Sequence, residues 1–481
     1  MFNPKQAVLT VGLMLFICGG ISDTLYAQTF GWSYPIALSG NSFFVDYPAI
    51  AVGRNGEIFV VWECKNQGSK AQLFYTHFDG QTWSSPVAIT DTGKWDWTPD
   101  IAVDTMNYPH VVWGEYGSSE IYHIYFDGSK WSTPENVSQD AGPSYYPRIA
   151  IDGENRIHVV WHDATLGGYL IYYRGFDGST WSATTNVSDT LFDSGFPHIA
   201  IDSKNNLHVT FHCPTAPTNQ NDIFYLRCTG GAWSPIVRIT ADSLDSYYPD
   251  IATFHDDKPM IVWSQVLKPW PLELVYASVF EGTQWTIPAS IEDTSESDGP
   301  SIAIDKWDNV HLVWQLWTHA DQWQRILYSS RINGHWSAPI DLVGPSGPLT
   351  SGRPAIKTDG SGKLHVIWVG TDNHVYYTTH SAVTGVKVAS RSVPRGVALL
   401  QNYPNPFNGS TQVRFSVAQQ CFVVLKVFDI LGREIKNLES ADLSPAEYSV
   451  TFDGTNLATG VYILQLKSGT QMLQQRMLLI R

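Results

Sequence analysis

His162 and Asp163 stand side by side after an apolar run, and Glu115, Arg148, His198 and His212 fall at matching places in neighbouring stretches. Together these types could carry out acid–base chemistry. His162 or His198 would be the general base, Asp163 or Glu115 the acid, and Arg148 a clamp for an anion. The same histidines with Asp163 have the chemistry to hold a borderline metal. None of them shows tight ligand spacing, so no metal and no cofactor is expected. The plainer reading is a set of polar side chains lining a wet opening. Aromatic residues share these stretches: Trp95, Trp97, Tyr145, Tyr146, Tyr247, Tyr248, Trp270, Trp317 and Trp323. Exposed rings are flat apolar platforms for sugar faces, and Asp100, Asp250 and His212 would add polar contacts beside them. Tyr146 and Tyr248 are expected instead to pack between neighbouring structural units.

These positions match because the chain repeats. Trp62, Trp113, Trp161, Phe211, Trp263, Trp314 and Trp368 each end an apolar run, with gaps of 51, 48, 50, 52, 51 and 54 residues. A second series, Trp83, Trp131, Trp181, Trp233, Trp285 and Trp336, keeps the same period, mostly as Trp-Ser-x-x or Trp-Ser-x-Pro. A period near 50 signals a repeat architecture. In the third repeat, residues 146–152, 156–161 and 170–174 read as strands separated by turn residues, and a fourth opens at Trp181. Four strands per repeat define the blade of a β-propeller. Pro86, Pro134, Pro235, Pro288 and Pro339 lie in the fourth strand, as suits a sheet edge that needs no further donor. The seventh repeat lacks a Trp-Ser strand, but Trp32-Ser33 lies one period before Trp83. Residues about 29–39 are therefore expected to supply the last strand and close a seven-bladed ring. Ligand-facing differences should lie on the face where blades are joined and where loops follow the anchors. His110, His158, His208, His311 and His365 recur three residues before an anchor and read as interior hydrogen-bonders. Asp104, Asp152, Asp202, Asp305 and Asp359 read as turn residues.

The 481 residues carry a net charge of −15, with 43% hydrophobic and 13% aromatic content. That composition is globular, and the acidic balance argues against nucleic acid as a partner. Residues 1–27 read as a signal peptide, with Lys5, an apolar stretch from Ala7 to Ile21, and Leu25-Tyr26-Ala27 at its end. No segment of the mature chain is apolar enough to span a bilayer as a helix. Cys64, Cys213, Cys228 and Cys421 are expected as free thiols. The organisation is all-β throughout: signal peptide 1–27, propeller 28–382, linker 383–397, and a small β-sandwich over 398–481.

The sandwich opens on Asn402-Tyr403-Pro404-Asn405-Pro406-Phe407-Asn408, continues through Phe428-Asp429-Ile430-Leu431-Gly432-Arg433-Glu434 and Gly460-Val461-Tyr462, and ends Met477-Leu478-Leu479-Ile480-Arg481. In that order these motifs resemble the type A C-terminal sorting domain of type IX secretion (Por secretion) substrates; Gly409 stands where that family usually has proline. The resemblance implies the type IX machinery as a partner, passage through the outer membrane, and release or attachment at the cell surface. The Phe-Asp-Gly-Ser-x-Trp-Ser turns at Asp79, Asp127 and Asp177 are similar to the Asp box of sialidase-like propellers, with Asp and Gly adjacent here rather than separated by one residue. Sialidase chemistry would need three arginines, a tyrosine–glutamate pair and an aspartate. Only Arg148, Arg353 and Arg325 are candidates on the loop face, and the family's early Arg-Ile-Pro signature is absent.

Three functions remain open from the sequence. The first is a surface protein that binds extracellular glycan or another surface ligand. The second is a glycoside hydrolase or polysaccharide lyase working in the polar mouth of blades 2–5. The third is a protein–protein scaffold.

Overall fold

The computed structural model describes residues 32–480 except 41–43, 66–69, 92, 141, 217–218, 268–271, 292–295, 319–322, 333, 344–349, 381–386, 391–395, 419–420, 444–445, 456 and 469–470. The signal peptide and Trp270 lie outside the described residues. No helix occurs among those described.

Second strands such as Ile157–Asp163 are buried along their whole length, so both faces of each sheet must be covered. The chain meets that demand by stacking sheets around an axis. In blade 3, Ser144–Ile151 is innermost, followed by Ile157–Asp163, Leu170–Phe176 and the outer Thr185–Asn186, all antiparallel. Seven such sheets form the propeller among the described residues. Each innermost strand packs on the next, and Thr350–Thr358 of blade 7 packs on Phe44–Val52 of blade 1. The N-terminal strand completes blade 7 as expected: Ile36–Ala37 pairs with Tyr376 and Tyr377, and Trp32 bridges to His380. The outer strands are thinner than the sequence suggests. Their ladders run for only two residues, as at Val87–Ala88 and Glu135–Asn136, beside the prolines that cannot donate.

The outer-strand tryptophans seal the seams between blades. Trp131 meets Tyr75 of the preceding blade edge-on at 5.0 Å, Trp233 meets Tyr173 at 5.1 Å, and Trp285 meets Tyr225 at 4.9 Å. Trp83 on Tyr377 and Trp32 on Tyr328, both at 4.9 Å, carry the pattern through the point of closure. Under Tyr173, Tyr225, Tyr328 and Tyr377 lies the recurring histidine, whereas Phe59 lies under Tyr75. His208 Nδ1 is 2.8 Å from the Tyr225 hydroxyl and its Nε2 is 3.2 Å from Asp202 Oδ2; His311, with Tyr328 and Asp305, repeats both distances. His158 and His365 do the same. With an aspartate on Nε2 the proton sits there, and the tyrosine hydroxyl donates to Nδ1. Burial pushes the His158, His208 and His365 imidazoles below their usual range. The recurring histidines are thus satisfied interior groups, as the repetition implied. In blade 5 the whole set changes at once, to Phe254, Met260 and Ala277. A buried polar network is costly when half-satisfied, so its members are replaced together.

The C-terminal part holds two four-stranded sheets packed on a core that includes Val413, Phe415, Leu425, Val450, Phe452 and Leu466. One correction falls here: Lys387–Ser390, expected within the linker, pairs with Ala446–Asp453 as an edge strand. The opening motif clasps the last strand. Phe407 is buried, its N–H donates to Leu478 O at 2.9 Å, and Asn405 Oδ1 accepts from the Leu478 N–H at 2.8 Å.

His208→Leu leaves the Tyr225 hydroxyl without its buried acceptor and takes one donor from Asp202, which keeps those of Lys204 and Asn206; this should cost about 1–3 kcal/mol. Tyr225→Phe alone should cost less, and the double variant should cost less than the sum, because both changes break one network. Chemical denaturation of the four chains measures the coupling; strict additivity would show that the network is not a unit.

Candidate functional site

All seven inner strands carry the pattern X-Pro-Y-Ile. The X residues are Tyr47, Thr98, Tyr146, Phe196, Tyr248, Gly299 and Arg353, every one in left-handed backbone with φ between 47° and 57°. At each of them the ladder shifts register by a bulge. Such backbone costs roughly 1–3 kcal/mol for a residue with a side chain. A bulge also re-aims the side chain it carries. Five of the side chains, those of Tyr47, Tyr146, Phe196, Tyr248 and Arg353, are turned toward the axis at one end of the ring, while Thr98 is buried.

They surround a cavity of about 420 Å³, lined by Tyr47, Tyr146, Phe196, Tyr248, Trp317 and Arg353 with the Y residues beneath them. The rings form a continuous arc. Tyr47 and Tyr146 have centroids 6.1 Å apart, Tyr146 and Phe196 4.5 Å, and Phe196 and Tyr248 4.9 Å. Arg353 lies 3.7 Å over the Tyr47 ring, and its Nε is 2.8 Å from Asp46 Oδ1. Tyr146 and Tyr248 therefore line the opening. The expectation that they pack between blades is corrected, because the bulge turns them to the axis.

Three of the polar residues expected at the mouth meet there. Arg148 Nε donates to His198 Nε2 at 3.1 Å, and His198 Nδ1 is 2.8 Å from Asp250 Oδ1. The row crosses blades 3, 4 and 5 and fixes the proton on Nδ1. Asp250 also accepts from the amides of Ile251 and Ile302. Burial pushes its carboxyl up, but the facing His198 imidazole with its hydrogen bond, together with Lys357 and the Ile302 amide, outweighs it and holds the group well below the usual carboxylate range. Two acids near the mouth behave the other way. Burial first, and then nearby Asp46, raises Glu63 to about 7; burial first, and then Asp298, raises Glu273 to about 8.

The remaining expected residues lie elsewhere. Asp100 Oδ2 accepts from the Ile149 N–H at 2.9 Å and stitches blade 2 to blade 3. Asp163 is fully buried, with one oxygen on Ser144 Oγ at 2.7 Å and the other on the Thr165 N–H at 2.7 Å. It is a loop cap and has no free face. Glu115 is buried against Lys94. His162 sits among Tyr145, Tyr146, Tyr169 and Phe196, its Nδ1 unpartnered, and burial lowers it to about 3. His212 stacks on Phe196 at 5.3 Å, and burial lowers it to about 4. Trp97 packs on Tyr145 and Tyr146, whereas Trp95 is exposed beside Tyr116 and does not line the cavity. Trp323 pairs with Thr318 at a strand end, and its side chain lies outside the described residues. Sequence reasoning missed Tyr47, Phe196 and Glu273 as site residues, and placed Arg353 on the loop face only as one of three candidate arginines. A residue before proline at one place in all seven repeats was the available signal for Tyr47 and Phe196; Glu273 had none.

Residues 401–480 match the family described as a secretion system C-terminal sorting domain. This domain marks the chain for type IX export, to the cell surface or the medium. No curated protein matches the sequence. Among solved structures, the chain is similar to an ulvan lyase of a polysaccharide lyase family bound to a glucuronate–sulfated-rhamnose saccharide, at 11% identity and TM-score 0.53, covering 72% of this chain and 96% of that one. It is similar too to a fungal alcohol oxidase in complex with copper, at 10% identity and TM-score 0.50, over 94% and 100%. A Hadza microbial sialidase shares 12% identity at TM-score 0.41, over 71% and 66%. At these identities the likeness is one of fold, an all-β propeller.

Ser144 Oγ has one proton to give, and Asp163 is nearer to it than Asp140, at 2.7 Å against 3.3 Å. Asp140 must then donate to Asp163 itself, and burial followed by that contact raises Asp140 from 3.8 to about 7. The folded state holds this proton more tightly than the unfolded chain. Its stabilising effect is complete below pH 4 and is lost as pH rises through about 7. Asp140→Asn keeps a donor at every pH, so its melting temperature should fall less between pH 5 and 8 than that of the parent chain. Parallel curves would remove the shared proton.

Proposed function

We propose that the propeller binds an extracellular glycan in its axial mouth. One observation carries this reading: a continuous arc of rings, each held at the axis by strained backbone, around a polar row from Arg148 through His198 to Asp250. Sugars present apolar faces and many hydroxyls, and an arc of rings over fixed donors and acceptors suits both. The volume lies within the range of ligand sites, about 300–1,000 Å³. Export by the sorting domain puts the mouth where glycans are met, and the saccharide-bound lyase of like fold is in keeping with the reading.

Cleavage of the glycan, by hydrolysis or elimination, is the second reading. Glu273 favours it, because a carboxyl raised to about 8 is still protonated at neutral pH and can supply a proton to a leaving oxygen. An acid works while protonated, so such a rate should fall as pH rises through about 8.

Asparagine tolerates left-handed backbone, so Tyr146→Asn and Tyr248→Asn remove the rings without new strain. Each should weaken retention of a polysaccharide in affinity electrophoresis about threefold to tenfold. Trp317→Ala should do the same. Unchanged retention in all three would end the glycan reading and leave a protein scaffold. Size exclusion of the polymer after incubation separates binding from cleavage: a falling polymer mass selects the second reading.

A further inference from the structure

The inner-strand pattern continues one residue past Ile. That position is Ala51, Ala102, Ala150, Ala200, Ala252 and Ala303 in six blades and Lys357 in the seventh. Five of these alanines, Ala51, Ala102, Ala200, Ala252 and Ala303, pack in or against the apolar clusters of the blades. Lys357 alone sends a four-carbon arm from this level, it is exposed, and it lines the mouth cavity. Its charge reaches Asp250. Among the described residues no carboxylate lies in ion-pair range of Lys357. Asp250 is already engaged by His198 Nδ1 and by the amides of Ile251 and Ile302.

Arg148 is in the same position. Its Nε is used on His198 and its Nη1 on Pro147 O at 3.0 Å, and it too has no carboxylate partner among the described residues. Arg353, by contrast, is paired with Asp46. Two unpaired cations from blades 3 and 7 therefore face the base of one cavity, in a chain whose net charge is −15. A charge in a partly enclosed site calls for a counter-charge, and among the described residues these two have no carboxylate in ion-pair range.

We propose that Lys357 and Arg148 form a seat for one oxyanion of the bound glycan, a carboxylate or a sulfate ester, and that Lys357 sets the preference for acidic over neutral chains. This rests on the glycan reading above. Lysine is a point charge and accepts either oxyanion, whereas the guanidinium of Arg148 adds a directed contact.

The test uses the chain with its sorting domain and two polymer pairs: polygalacturonate with its carboxyl-reduced form, and a sulfated galactan with its desulfated form. Lys357→Ala places in blade 7 the residue that the other six blades carry, so folding should be kept, with an unchanged melting temperature as the check. The parent chain should bind at least one acidic polymer about tenfold or more tightly than its neutralised form. Lys357→Ala should remove that difference while leaving neutral binding as it was, and Lys357→Arg should restore it. The pair that shows the difference identifies uronate or sulfate as the source. Equal binding of native and neutralised polymers, or an unchanged preference in Lys357→Ala, would overturn the seat and leave the glycan reading standing. A parent chain that binds none of the four polymers would overturn both.

Discussion

The edge-on contact between an outer-strand tryptophan and the tyrosine of the preceding blade supports the rest of the molecule. A blade is a four-stranded sheet with two apolar faces and cannot stand alone. The contact joins five of the seven blade pairs at the rim, and in four of them the histidine under the tyrosine ties that rim to the second strand and to the turn below. Trp131 on Tyr75 and Trp32 on Tyr328 are the same joint, although one lies mid-chain and the other is made by the first described residue. The ring at the axis is only as regular as these joints at the rim. The alignment of seven bulges around one cavity follows from it.

In blade 5 all three members of the joint are replaced at once. Where Tyr is Ala277, the histidine is Met260 and the aspartate is Phe254, and Trp336 of the next blade joins a wholly apolar cluster with Met260 and Ala277. An imidazole without the carboxylate or the hydroxyl would leave a buried nitrogen unpaired. Blade 1 keeps the tyrosine alone: Tyr75 stacks on Phe59, and Gly53 stands at the aspartate position. Blade 2 differs again with His123, which stands 3.1 Å from His110 in place of a tyrosine.

Much of this architecture was legible in the sequence because it is periodic. Large aromatics at a fixed interval located the second strands, the Trp-Ser series located the outer ones, and the missing seventh copy pointed to the N-terminal strand. The site was less legible. Arg148, His198 and Asp250 were found because they vary at one register position. Asp163 and Glu115 were misplaced because a polar residue after an anchor can turn inward as a cap as easily as outward. Tyr47 and Phe196 were missed because strand alternation predicts which face a residue takes only while the ladder is unbroken, and a bulge breaks it at just that point. Glu273 carries no sequence signal at all, since its protonation depends on burial supplied by other parts of the chain.

The N-terminal strand also has a bearing on the order of assembly. Ser33 and Thr378 meet across 345 residues, with hydroxyls 3.1 Å apart. Pairings between neighbouring strands form over short loops, whereas closing a loop of that length carries a larger entropic cost and slows folding. Blades 1 to 6 can stack one on another as soon as each is available. Blade 7 must wait for the segment that left the ribosome first. Until then both ends of the stack expose open strand edges, and another copy of the chain could offer the missing strand in place of its own. Circularisation is thus the slow step, and the one at which crowding of identical chains would do most harm.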